Sequence, residues 1–276
     1  MSLYSYFRIS KPSPEKVPAE RVDEEYKRFR TRTFWGVTAA YTMYYVCRMT
    51  LGVVKQPVID GGVLSAGELG VIGSVFYFVY AAGKFTNGFI ADYCNIRRFM
   101  AWGLGISAVI NLVLGILGLL HGPLGIGSIV MLLCFALLWG VNGWAQSMGA
   151  PPGTISLSRW FPLNKRGTMY SIFSSTPSFG KALTMIATGF IVAWAGWQWG
   201  FIAAAAAGVI GTIIALVFIS DTPESRGLPT VQELAGEPLK TLDKKPTKEL
   251  QKWVSAIPAS GSSPSPAPSS TSPSTR

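Results

Sequence analysis

Hydrophobic positions along the chain gather into six long runs, at about 33–55, 68–91, 99–120, 125–149, 168–194 and 198–219, joined by short polar connections. A hydrocarbon core about 30 Å thick takes roughly 20 apolar residues of helix, so each run is long enough to cross it. Two soluble domains with buried helices are a poor alternative. Phe99–Leu120 and Phe201–Ile219 have no polar face to turn toward water. The pattern therefore predicts an all-α integral membrane protein with a six-helix domain over 33–219. A polar segment over 1–32 precedes it, and a charged, loop-like segment over 220–254 follows. The last stretch, 255–276, is dominated by Ser and Pro and is expected to be disordered, because it buries too little apolar surface to offset its ordering entropy.

Composition agrees with the pattern: of 276 residues, 49% are hydrophobic and only 14% charged. The charges that remain are unevenly placed. Lys and Arg crowd residues 1–32, the second connection (Arg97, Arg98), the fourth connection (Arg159, Lys165, Arg166) and the C-terminal tail, while the first, third and fifth connections have none. The positive-inside rule then puts both termini in the cytoplasm, and the protein is expected in the cytoplasmic (inner) membrane. The net charge of +10 is face charge that can lie against anionic lipid headgroups, not a nucleic-acid footprint. The N-terminus lacks the basic-then-apolar plan of a cleaved signal, so the first membrane helix is expected to act as the targeting signal.

Three cations break the apolar runs: Arg48, Lys84 and Lys181, with no carboxylate in mid-membrane to neutralise them. A buried cation costs at least ~3 kcal/mol on insertion scales, so the imbalance points to an anionic ligand as the counter-charge. Other chemistries find no support. Cys47, Cys94 and Cys134 stand far apart and His121 is the single histidine, which leaves no disulfide framework and no metal centre. No catalytic carboxylate pair or Ser-His-Asp set appears, no cofactor is implied, and Gly83-Lys84 and Gly180-Lys181 lack the spacing of a phosphate-cradling loop.

Four motifs give the pattern a family likeness. Gly88-Phe-Ile-Ala-Asp92-Tyr-Cys-Asn95-Ile-Arg97-Arg98 resembles the signature loop between helices two and three of the major facilitator superfamily, with Tyr93 where a basic residue is usual. In it Gly88 is expected to admit a neighbouring helix, Asp92 to accept hydrogen bonds from a helix terminus, and Arg97 and Arg98 to anchor the loop. Ala40–Arg48, Gly143–Pro152 and Asp221–Pro229 are similar to the first helix, fourth helix and post-sixth-helix segment of its organophosphate:phosphate antiporters. That family takes in glycerol-3-phosphate and hexose-6-phosphate transporters and a hexose-phosphate sensor.

The resemblance implies a substrate site. An Arg after a Tyr-Tyr pair binds phosphate in the family, and Arg48 after Tyr44-Tyr45 matches it; a planar guanidinium can grip two phosphate oxygens at once. Lys84, in Tyr80-Ala-Ala-Gly-Lys84, matches a second-helix lysine, with snorkelling to the nearby helix end as its other reading. In the fifth helix Pro177 stands at the family's histidine position and Lys181 lies one turn on, either replacing the lost cation or facing a helix interface. Tyr41, Tyr44, Tyr45, Tyr77 and Tyr80 are candidate hydrogen-bond donors to phosphate or sugar, or else packing aromatics. Trp144, Gln146 and Gly149-Ala-Pro151-Pro152 are expected to serve packing and a kink, with Gln146 a lesser candidate for polar contact.

The implied function is exchange of an organic phosphate, a sugar or glycerol phosphate, for inorganic phosphate by alternating access. The alternatives are a hexose-phosphate sensor that signals through a membrane partner, and an inactive fragment. Superfamily members pair two six-helix halves around a midplane site. Here Thr247–Val254 looks like the approach to helix seven and then gives way to the Ser/Pro-rich stretch, as expected of a truncated or frameshifted half. Such a half is expected to recruit a second half or to form a homodimer.

Overall fold

The computed structural model describes residues 6–235, so the expectations for 236–276, including the approach to a seventh helix and the disordered tail, lie outside the described residues. The chain forms α1 (Val22–Asp60), α2 (Ala66–Tyr93), α3 (Ile96–Leu124), α4 (Ser128–Ser147), α5 (Ala150–Trp160), α6 (Leu163–Ala195), α7 (Trp197–Phe218) and a short α8 (Val231–Ala235). Five spans are long and apolar enough to cross a membrane: α2, α3, α4 with α5, α6 and α7. The first predicted run lies inside α1, whose tyrosines, threonines and Arg48 make it the least apolar of the bundle helices.

Local chemistry sets the helix ends. Asp23, Glu24 and Glu25 sit in the first turn of α1, where carboxylates favour the positive end of the helix dipole. Ser65 and Glu68 form a reciprocal capping box at the start of α2, with Glu68 N–H donating to Ser65 Oγ at 3.3 Å and Ser65 N–H to Glu68 Oε2 at 2.7 Å. Asn95 caps α3 by accepting from Arg98 N–H at 3.0 Å. The fourth predicted run splits at Met148-Gly149, and Pro151 and Pro152 open α5, whose missing N–H groups cost nothing there.

Packing runs α2, α4, α3, α7, α1, α6 around the bundle, with α2 lying mainly on α4 and α6 mainly on α1. Small residues permit the close approaches: a Cβ on Gly143 of α4 would stand 2.6 Å from the Phe76 carbonyl oxygen of α2, and one on Gly180 of α6 would stand 2.6 Å from Tyr45 Cβ of α1. A buried polar chain ties the centre together. Ser107 Oγ donates to Asn142 Oδ1 at 2.5 Å and accepts from Gln146 Nε2 at 2.7 Å, and Asn111 Nδ2 donates to the Ser107 carbonyl at 2.8 Å. Gln146 is thus spent on helix packing.

The segment after α7 is more than a connection. Residues 10–17 run beside it, with Ser13 N–H donating to Glu224 O at 2.8 Å and Val17 N–H to Gly227 O at 3.0 Å. Gly227, at φ +73°, lies against the Glu15 carbonyl where a side chain would collide. The N-terminal segment and residues 220–230 therefore close one end of the bundle, over a cluster of Tyr26, Phe34, Trp160, Phe161, Ile219 and Leu228.

Candidate substrate site

Because α2 and α6 pack on opposite flanks, the face between them, floored by α1, stays open. Their most apolar windows are only 22% and 17% buried, the lowest among the five spans. Arg48 projects from α1 into this face. Its Cζ lies 4.2 Å from the Tyr80 ring centroid, 5.5 Å from Phe76, 5.6 Å from Tyr77 and 5.8 Å from Tyr45. The aromatic faces hold the cation without neutralising it.

The electrostatics are lopsided. Among the described residues the salt bridges are Arg21–Glu25, Arg28–Glu25 and Arg159–Asp221, all at the end closed by the N-terminal segment. Arg48, Lys84 and Lys181 have no acidic partner among the described residues, and Arg48 Nε is buried with no hydrogen-bond acceptor. A half-buried guanidinium, caged by rings and with Nε buried and unpaired, is disposed to accept an anion. Beside it opens a concavity of about 340 Å³, lined by Arg48, Gly52, Lys55, Gly73, Ser74 and Tyr77 among others.

The predicted residues separate into groups. Arg48, Tyr45, Tyr77, Tyr80 and Lys84 come together, with Lys84 Nζ 5.3 Å from the Tyr80 ring centroid. Tyr44 does not join them: it is 1% exposed, and its hydroxyl donates to the Met100 carbonyl at 2.8 Å. Tyr41 is also a packing residue, stacked on Phe173 at 5.0 Å. Lys181 is exposed on α6, one residue beyond the Gly180–Tyr45 contact. Lys55, two turns along α1 from Arg48, lines the concavity and was missed from the sequence; the i, i+7 spacing from Arg48 was the available signal.

The loop motif is arranged differently from expectation. Among the described residues no atom outside the local helix lies within 4 Å of a Cβ built on Gly88; a close α2–α4 contact falls at Gly83 and Ser147 instead. Asp92 is exposed, and its backbone carbonyl, not its carboxylate, accepts from Arg159 at 3.4 Å. The acceptor role at a helix terminus belongs to Asp221, 3% exposed, which takes Ile96 N–H at 3.0 Å, Ser10 N–H at 2.8 Å and Arg159 Nη1 at 2.7 Å. Arg98 donates to the Tyr6 carbonyl of the N-terminal segment.

Comparison with known proteins narrows the setting. A family model of the Major Facilitator Superfamily matches residues 37–261. The chain is 35% identical over 236 residues to the probable hexose phosphate transport protein of Chlamydia pneumoniae, covering 84% of this chain and 49% of that one. It is 31% identical over 245 residues to the glycerol-3-phosphate transporter of Bacillus subtilis strain 168, covering 88% and 53%. The chain thus spans about half the length of the curated relatives it matches. A bacterial homolog of the human lysosomal transporter Spinster, solved inward-facing and unoccupied, shares the fold with a TM-score of 0.58 at 19% identity, covering 83% of this chain and 50% of that one.

Proposed function

Because the chain belongs to the Major Facilitator Superfamily, we propose that it forms one wall of a membrane carrier that exchanges an organic phosphate, a sugar or glycerol phosphate, for inorganic phosphate. The observation that carries this reading is the state of Arg48: caged by aromatic rings, unpaired at Nε, and open to a concavity between α1 and α2. In this role Arg48 grips the phosphate, Lys84 and Lys55 add charge, and Tyr45, Tyr77 and Tyr80 hold the guanidinium in place. Tyr77 and Tyr80 are also placed to meet the sugar hydroxyls.

The open face between α2 and α6 is where a second six-helix unit would seat, whether a partner half or another copy of this chain, and rocking of the two units would alternate access. The relatives named for hexose phosphate and glycerol-3-phosphate transport support this substrate class, and the Lys/Arg bias of alternate connections supports a place in the cytoplasmic membrane.

The test is counterflow. Proteoliposomes loaded with phosphate are expected to take up labelled phosphate, and external glucose 6-phosphate or glycerol 3-phosphate to compete. Saturable binding without counterflow would instead favour a sensor. Absence of both binding and counterflow would refute the proposal.

A further inference from the structure

A second basic site lies far from Arg48, at the closed end of the bundle. A pocket of about 220 Å³ opens between the start of α3, the segment after α7 and the N-terminal segment, with Lys11, Arg97, Arg98, Ser225 and Arg226 in its wall. Its one carboxylate, Asp221, is already committed to Arg159 and to two backbone N–H groups. Arg97 Nε is buried and has no hydrogen-bond partner. Arg226 spends its own Nε on Ser220 Oγ at 3.2 Å. Its pKa is pushed below the usual arginine value by burial, and further by the charges of Arg97 and Arg32. Arg97 and Arg226 thus repel each other across a polar pocket, with Arg98 beside them and no uncommitted carboxylate in its wall among the described residues.

Next to this pocket the surface turns apolar. Arg98 stacks on the Tyr6 ring, 4.6 Å from its centroid. Tyr6 in turn lines a cleft of about 550 Å³ between α3 and α7, with Trp102, Gly105, Val109, Thr212 and Leu216. Basic pockets between membrane helices at the membrane face hold lipid phosphates.

We propose that Arg97, Arg98 and Arg226 form a phosphate-group site distinct from the Arg48 site, filled by the headgroup of an anionic phospholipid or by a free phosphate. The adjoining cleft would take an acyl chain of the former. Such a ligand supplies the missing counter-charge and ties α3 to the segment after α7.

The test is thermal stability of the purified full chain in detergent, in two arms: phosphatidylglycerol against phosphatidylcholine, and sodium phosphate against sodium chloride at equal ionic strength. At about 100 times Kd the bound anion is expected to raise Tm by about 5 °C. The phosphatidylglycerol shift is lost in Arg97→Gln/Arg226→Gln and kept in the charge-retaining Arg97→Lys/Arg226→Lys and in Arg48→Lys; because Arg48 binds phosphate as well, the phosphate arm is read as the part of the shift that Arg97→Gln/Arg226→Gln removes and Arg97→Lys/Arg226→Lys restores. A shift with phosphatidylglycerol identifies a lipid site; one with phosphate alone, under the same variant pattern, identifies a soluble anion. No shift in either arm of the wild type overturns the proposal, without appeal to any variant. A phosphatidylglycerol shift that survives Arg97→Gln/Arg226→Gln, or a phosphate shift that Arg97→Gln/Arg226→Gln leaves whole with no lipid response, overturns it too.

Discussion

Replacing Asp221 by alanine removes one carboxylate and strands three donors at once. Arg159 loses its ion pair, with its side chain only 15% exposed, and Ile96 and Ser10 lose the acceptors of their N–H groups. Removing one member of a buried pair costs about 3–5 kcal/mol. The residual exposure of Arg159 lets water reach the guanidinium and argues for the lower end, about 3 kcal/mol. Asp221→Asn keeps an oxygen for Ile96 N–H and gives up mainly the charge-assisted part, about 1–2 kcal/mol. At about 2–4 °C per kcal/mol for a chain of this size, Asp221→Ala lowers Tm by about 6–12 °C and Asp221→Asn by about one-third to two-thirds as much. The assay is thermal unfolding in detergent followed by intrinsic fluorescence. A double-mutant cycle adds a check, because Arg159→Leu on the Asp221→Ala background removes the stranded charge and is expected to recover part of the loss. A drop of less than about 1 °C in Asp221→Ala, against the range expected from the ion pair, would refute the view that Asp221 joins the N-terminal segment, α3 and α5.

Other consequences follow from single contacts. Gly143→Leu drives a side chain into the Phe76 backbone and is expected to cost about 1–3 kcal/mol in thermal unfolding, whereas the same change at Gly88, which faces open space, leaves Tm nearly unchanged. Tyr80→Phe keeps the ring 4.2 Å from Arg48 and is expected to retain phosphate binding, while Tyr80→Ala weakens it by about 3- to 30-fold in equilibrium titration. The Cys94 thiol is pushed up by burial and by the Asp221 carboxylate, against the opposing pull of Arg159. Its maleimide alkylation, followed by mass spectrometry, is expected to lag a free thiol at neutral pH and to keep rising with pH where a free thiol levels off. It is expected to quicken in Asp221→Asn.

The helices were legible because hydropathy is a local signal, and it marks the parts that meet lipid. It failed where a helix leaves the lipid. The expected start of the first run near residue 33 missed the preceding turns of α1, which are charged yet bury Tyr26 against Trp160 with ring centroids 5.8 Å apart. The break at Met148-Gly149 was readable from the prolines that follow it. Asp221 was not readable, because its partners lie 62, 125 and 211 residues away in sequence. Its placement depends on how residues 10–17 and 220–230 zip together. The tyrosines show the same limit. Tyr44 and Tyr45 are neighbours on α1, but one helical step turns Tyr44 onto the Met100 carbonyl and leaves Tyr45 beside Arg48. A motif names both residues and does not say which side each faces.

The claim on which the functional reading turns is that the Arg48 guanidinium grips phosphate. Equilibrium titration of inorganic phosphate into the purified chain, wild type against Arg48→Lys, tests it most directly. Lysine keeps the charge and gives up the fork, a loss of about 1.5–3 kcal/mol in charge-assisted hydrogen bonding, so Kd is expected to rise by about 10- to 150-fold. An unchanged Kd in a folded Arg48→Lys variant would contradict the assignment.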